Sequence, residues 1–216
     1  MAVAGQEMKT AIIVGLGSDI VSDLSKRLTR DGWVIVGCNR GTCDLTNNKQ
    51  IKQTANLLSR PWDLLIIAPG TLEPVKNFLD CTDEEWERSV RVNALGPLRM
   101  LRELLPHGSF SSTAVLFSGT NPLRKNPRYS AYSSAKALLV RAAQEIDEEV
   151  NQKVCIMAPG FVKTKIHKAH EVKRTDSTDP EAIYKCLLYM IEKSKADVGG
   201  KVIHVPTWAT LAIDYA

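Results

Sequence analysis

Cysteine is sparse and unpatterned in this sequence: Cys38, Cys43, Cys81, Cys155 and Cys186 are odd in number and contain no C-x-x-C pair. A disulfide framework and a zinc site of the usual spacing are thereby excluded, and the five read as reduced thiols with no metal to hold. Long apolar runs are missing too. The best of them, Ala11 to Leu16 and Leu64 to Pro69, fall far below the roughly 20 residues that a membrane-spanning helix needs. The first residues lack the basic-then-apolar order of a secretory signal, so a cytoplasmic protein with no membrane partner is expected. Neither sign of charge dominates, since 28 Lys+Arg against 24 Asp+Glu leave a net charge of +4. That balance gives no argument for nucleic acid as a partner. No repeat or low-complexity tract occurs. What is present is ordinary globular material: 44% hydrophobic and 24% charged residues over 216 positions exclude disorder and fibres. The length suits one domain, 1–216, around one core.

Apolar runs and helical periods alternate along the whole chain. Thr10 to Val14 reads as a strand, ending in Gly15-Leu-Gly17-Ser18. Asp19 to Thr29 then places Ile20, Val21, Leu24 and Leu28 on one helical face. Trp33 to Cys38 and Trp62 to Ala68 read as strands on either side of a helix at Asn47 to Leu58. A long helix at Glu84 to Leu105, a strand at Thr113 to Phe117, a helix at Ala131 to Val150 and a strand at Val154 to Met157 follow. Asp179 to Lys193, with Pro180 in its first turn, is the last helix, and Lys201 to Val205 the last strand. Continuous apolar strands separated by helices predict an α/β fold: a doubly wound parallel sheet of about six to seven strands in three α/β/α layers. Only Gly41-Thr42-Cys43 separates Arg40 from Asp44, too short for an extra crossover, so the sheet ends at the second strand. Residues 161–178, rich in Lys and His, read as a mobile loop over the substrate.

In such a sheet the ligand lies beyond the carboxyl ends of the strands, where their order reverses. Gly15 and Gly17, at a strand-to-helix turn, leave backbone N–H groups open to a pyrophosphate, although a tight turn alone also uses glycine. Arg40, just past the second strand, is placed to grip a 2′-phosphate, and the neighbouring Asn39 replaces the acidic residue that a free 2′-hydroxyl prefers. Tyr132 and Lys136 stand four apart on one helix, bringing phenol and ammonium to the same face. A cation there is expected to pull the phenol down from about 10 toward neutrality, making it a proton relay. Ser118 ends an apolar strand where its hydroxyl meets the phenol and polarises a carbonyl oxygen, with Thr120 as a substitute. Asn93 sits inside an apolar helix, so its amide either satisfies a neighbouring backbone group or anchors a water. Pro159-Gly160, Val162 and Thr164 open the loop after the fifth strand.

This set, from about Thr10 to Val205, resembles the short-chain dehydrogenase/reductase family, NAD(P)-dependent oxidoreductases on a Rossmann-type fold. Tyr132 and Lys136 match its Y-x-x-x-K, Ser118 its serine and Asn93 its helix asparagine. The resemblance implies Ser118, Tyr132, Lys136 and Asn93 as catalytic residues, with hydride passing between a nicotinamide and a small carbonyl or alcohol. It implies NADP, more than NAD, held by Gly15, Gly17, Ser18 and Ile20, by Asn39, Arg40, Asp44 and Leu45, and by Ala68, Pro69 and Gly70. Tyr132, Lys136, Pro159, Gly160, Val162 and Thr164 complete that set. It also implies a homodimer or homotetramer through the helices Glu84 to Leu105 and Ala131 to Val150.

The family turn T-G-x-x-x-G-x-G stands here as Val14-Gly15-Leu-Gly-Ser-Asp19-Ile-Val21, keeping its first glycine alone in register, and N-N-A-G stands as Ile67-Ala68-Pro69-Gly70. Asp19 suits a helix N-terminus but repels a nearby phosphate. These departures motivate the competing reading, a cofactor-binding or regulatory protein with little activity. Lys163, Lys165, Lys168 and Arg174 suggest an anionic substrate or cofactor phosphate, and nucleic-acid binding through the same loop has thin support.

Overall fold

The computed structural model describes residues 8–119, 125–165, 177–207 and 209–211. Thr120 and most of the Lys/His-rich loop, including Lys168 and Arg174, lie outside the described residues.

Six parallel strands form the sheet: β1 (Thr10–Val14), β2 (Val34–Cys38), β3 (Trp62–Ile67), β4 (Gly108–Phe117), β5 (Lys153–Ala158) and β6 (Val202–His204). A short antiparallel strand, β7 (Ala209–Leu211), closes the edge, in the order β2-β1-β3-β4-β5-β6-β7. The chain leaves β1 outward to β2 and returns past it to β3, so the order reverses at β1, and the crevice between β1 and β3 falls there. Among the described residues no strand lies beyond β2, in keeping with the short Arg40–Asp44 spacing.

Both faces of the sheet are buried, which is why its strands read as unbroken apolar runs. Alternate residues serve opposite cores. Ile12, Val14, Leu65 and Ile67 pack under α2 (Asn48–Leu58), α4 (Gly96–Leu104) and α5 (Ser130–Glu149), where Ile51, Met100, Leu104 and Leu139 meet them. Ala11, Ile13, Leu64 and Ile66 pack under α1 (Asp19–Arg30) and α6 (Pro180–Glu192), against Leu24, Leu28, Ile183 and Leu187. Gly37 lets β2 sit this close to β1, since a Cβ there would stand 2.0 Å from the Ile13 carbonyl oxygen.

Three elements depart from the expected bounds. The helix read as Glu84 to Leu105 is α3 (Asp83–Val90), a π turn at Arg91–Leu95 and then α4, with the Gly96 N–H bonded back to the Arg91 carbonyl. Pro97 has no N–H to offer the Asn93 carbonyl four residues earlier, so a regular ladder cannot pass this point. Strand β4 begins at Gly108, not Thr113. The Trp62 ring covers Gly108, where a Cβ would come within 2.5 Å of it, and the pairing shifts register beside it. Strand β7 is three residues long, too short for its Ala209-Thr210-Leu211 alternation to announce it.

Candidate active site

The turns that follow β1 to β5 at the carboxyl edge of the sheet open onto one crevice of about 980 Å³. The turn after β1 is held by Gly15 and Leu16, whose N–H groups donate to the Cys38 carbonyl at 2.9 and 3.0 Å. Gly15 has φ of +104°, which glycine adopts without strain. A Cβ on it would stand 3.3 Å from the Ala68–Pro69 backbone, so the turns after β1 and β3 touch there. Ser18 caps α1, its Oγ accepting the Val21 N–H at 3.3 Å. Val21, in place of the family's last glycine, is fully buried among Ile13, Leu24 and Leu28.

Past β2, Asn39 folds back on its own turn, its Oδ1 accepting the Gly41 N–H at 2.8 Å. Arg40 is exposed at the crevice rim. Asp44 accepts from both the N–H and the hydroxyl of Thr46 at 2.9 Å. Those hydrogen bonds first, then the charges of Arg88 and Arg40, hold its carboxyl below the usual range. Leu45 is buried behind it.

The catalytic candidates meet across β4 and α5. Lys136, 4% exposed, donates from Nζ to the Phe117 carbonyl at 2.8 Å and reaches the Pro69 carbonyl at 3.5 Å. The Tyr132 hydroxyl lies over Gly119, where a Cβ would come within 3.2 Å of it. The Ser118 hydroxyl, 5% exposed in the same wall, is buried with no hydrogen-bond partner. Burial without a partner is costly, so such a group marks a place where something else is meant to bond.

Two expectations are corrected here. The shared helical face does not bring the Lys136 ammonium onto the phenol, because the lysine reaches past it to the end of β4. Burial alone acts on Tyr132 and pushes the phenol up to about 12, opposite to the expected fall. Burial likewise brings Lys136 down to about 8. Nor does the Ser118 hydroxyl bond the phenol.

Every residue expected to be catalytic or to hold the cofactor lines the crevice except Asn93, and of the basic residues expected near an anion Lys165 lines it while Lys163 does not. Asn93 is fully buried one layer behind, its Oδ1 beneath Gly70, where a Cβ would stand 3.2 Å away. Of the two roles open to its amide, the structure takes the first, bonding the Thr71 backbone and the Ser89 hydroxyl. Pro159, Gly160 with φ of +79°, Val162 and Thr164 form the far wall. The sequence did not single out Arg88, Tyr129 or Glu73, which also face the crevice. Spacing offered a signal for two of them: Arg88 lies four before Val92 on one helical stretch, and Tyr129 three before Tyr132. Among the described residues no His/Cys/Asp/Glu group is arranged to hold a metal, and no helix is long and apolar enough to cross a membrane.

Residues 41–175 match the family model for short chain dehydrogenase. The chain belongs to that family. It is accordingly a dehydrogenase/reductase, and the matched segment begins one residue after Arg40, leaving out the unusual turn after β1. A short chain dehydrogenase of Penicillium rubens, adrF, is 23% identical over 201 residues, covering 76% of this chain and 75% of that protein. The NADPH-dependent 1-acyldihydroxyacetone phosphate reductase of Saccharomyces cerevisiae is 25% identical over 188 residues, with 74% of this chain spanning 63% of that one. A small-chain dehydrogenase solved in complex with NADPH superposes with a TM-score of 0.81 at 16% identity, over 91% of this chain and 95% of that one. The 3-ketoacyl-(acyl-carrier-protein) reductase of Brucella melitensis, complexed with NADH, gives 0.77 at 18% identity, over 90% and 94%. At these identities the superpositions establish the Rossmann-type fold.

Proposed function

We propose that this chain is one nucleotide-binding domain that transfers hydride between NADP(H) and a small carbonyl or alcohol, with Tyr132 as the proton donor and acceptor. The observation that carries the reading is the unpartnered Ser118 hydroxyl, buried in the crevice wall on the residue next to Gly119, which lies under the Tyr132 phenol. A carbonyl oxygen placed there completes it.

The residues present suit the cofactor. The crevice is at the large end of ligand sites, as a dinucleotide requires. The turn from Gly15 through Gly17 and Ser18 to Ile20 suits a diphosphate, but not through the Gly15 N–H that the sequence suggested, which is spent on the Cys38 carbonyl. Arg40, beside Asn39 and in no salt bridge among the described residues, suits a 2′-phosphate, and Asp44 and Leu45 suit the flanks of an adenine. Ala68, Pro69, Gly70, Pro159, Gly160, Val162 and Thr164 enclose the nicotinamide half. When bound, the nicotinamide supplies or accepts the hydride.

The chain's own side chains do the rest. Ser118 Oγ donates to the substrate oxygen and orients it. Tyr132, neutral at physiological pH, gives its phenolic proton to that oxygen in reduction and recovers it from the alcohol in oxidation. Lys136 reaches toward Gly70 and the Phe117 carbonyl, a position from which it suits a ribose hydroxyl. Asn93 is a positioning residue, fixing the turn after β3.

The five cysteines are free, which fits a reducing compartment and a cytoplasmic protein. A homodimer or homotetramer through α4 and α5 is part of the same reading. Fluorescence titration with NADPH and NADH, followed by turnover on a panel of aldehydes and ketones, tests it. Tyr132→Phe is expected to bind NADPH within about twofold of the parent while losing at least about 100-fold in kcat. Equal turnover by the two proteins sinks the proposal.

A further inference from the structure

One contact at the diphosphate end of the crevice has no part in the roles above, and the inference drawn from it rests on the cofactor reading just given. Asp19 is the first residue of α1, standing where the family turn has its second glycine. Its Oδ2 accepts the main-chain N–H of Lys165 at 2.7 Å, and its Oδ1 lies 3.4 Å from the Lys165 ammonium. The two belong to opposite walls of the crevice, Asp19 to the turn after β1 and Lys165 to the loop after β5, directly following Thr164. Asp19 is also the only charged residue in the stretch Gly15 to Val21.

The chemistry of this corner suits an anion. The positive end of the α1 dipole faces it, and the largely exposed Lys165 side chain reaches it from the other side. An aspartate carboxylate already meets the lysine there, in the manner of an internal anion. A diphosphate approaching the same corner meets both an occupied cation and a like charge.

We propose that Asp19 and Lys165 form an intramolecular clasp that stands in for the cofactor's diphosphate. Lys165 is held by Asp19 while the crevice is empty and passes to the diphosphate when the dinucleotide binds. Asp19 is thus an affinity-determining residue, set against the cofactor, and Lys165 the cation that the cofactor wins from it.

The test is fluorescence titration of NADPH on the full chain and on Asp19→Asn, Asp19→Gly and Lys165→Met. Both Asp19 variants are expected to bind at least tenfold more tightly, equivalent to about 1.4 kcal/mol, and Lys165→Met at least tenfold more weakly. Adenosine 2′-monophosphate, which lacks the diphosphate, is expected to bind all four within about twofold. Unchanged or weaker NADPH binding by Asp19→Asn overturns the clasp, and that variant decides the matter if the glycine form does not fold. A shift of equal size for adenosine 2′-monophosphate overturns it as well, by marking a general change. Equal NADPH affinity throughout leaves the cofactor reading standing, whereas no NADPH binding by any form removes both.

Discussion

Asn93 and Thr71 hold each other head to tail. The Asn93 Nδ2 donates to the Thr71 carbonyl at 3.0 Å while its Oδ1 accepts the Thr71 N–H at 3.0 Å, and Nδ2 also reaches the Ser89 hydroxyl at 3.2 Å. Thr71 follows Gly70 directly, so a fully buried amide on a π turn sets the path of the loop after β3 that lines the crevice. Asn93→Ala strands both Thr71 groups, and a stability loss of about 1–3 kcal/mol is expected. Urea unfolding measures it, with a weaker NADPH affinity as the companion sign. An unchanged midpoint would show that the loop is held by something else.

The doubly wound sheet was legible because its signals are local. Unbroken apolar strands such as Leu64–Ala68, and helical stripes such as Val21, Leu24 and Leu28, depend on nothing remote. The lining of the crevice was legible for a related reason: the topology delivers the turn after each strand to one edge, so Gly15, Arg40, Gly70, Ser118 and Pro159 converge there. What the sequence concealed depends on side-chain ends and on remote packing. Spacing puts Tyr132 and Lys136 on one face, but only the folded chain shows the ammonium spent on the Phe117 carbonyl and the phenol raised by burial. Asn93 was legible as a buried amide in need of partners, but which backbone it bonds was not, because the clamp on Thr71 joins residues far apart in sequence.

Ser118 should trade stability for function. Its hydroxyl is buried without a partner in the protein, so Ser118→Ala is expected to gain about 0.5–1 kcal/mol in thermal or urea unfolding of the free protein. The same change is expected to lower kcat by at least about tenfold, since the substrate oxygen loses a donor. A variant that loses stability contradicts the view that this hydroxyl waits for a ligand.

Lys136 and Tyr132 give a pH dependence with a definite sign. The lysine is held near 8 in the folded chain against an ordinary 10.5. Below pH 8 it is charged in both states, and the folded state bears the cost of a buried cation. Between about pH 8 and 10.5 the unfolded chain binds more protons, so the cost is relieved as pH rises. Lys136→Met is expected to be more stable than the parent at pH 7 by about 2 kcal/mol, after losing the Phe117 hydrogen bond. That advantage should vanish at pH 10.5. Paired urea curves at the two pH values test it, and a gap of constant size rules it out. Tyr132, near 12, stays protonated through neutral pH. Carbonyl reduction should therefore hold its rate between pH 6 and 8, while alcohol oxidation climbs with pH.

Arg40 bears on which dinucleotide is used. It stands exposed at the rim beside Asn39, whose own oxygen is committed to the Gly41 N–H, so no carboxylate or free carbonyl marks this corner for a 2′-hydroxyl. Asp44, on whose carboxyl the Arg40 charge acts, is turned onto Thr46. A guanidinium here gains two charge-assisted hydrogen bonds from a 2′-phosphate and little from a bare ribose. Arg40→Ala is expected to weaken NADPH by about tenfold or more while leaving NADH within twofold. Arg40→Lys should recover only part of the loss, because a point charge lacks the planar fork. Titration of both dinucleotides against the three proteins decides it, and parallel losses for NADPH and NADH would assign Arg40 to the fold of its turn and not to the phosphate.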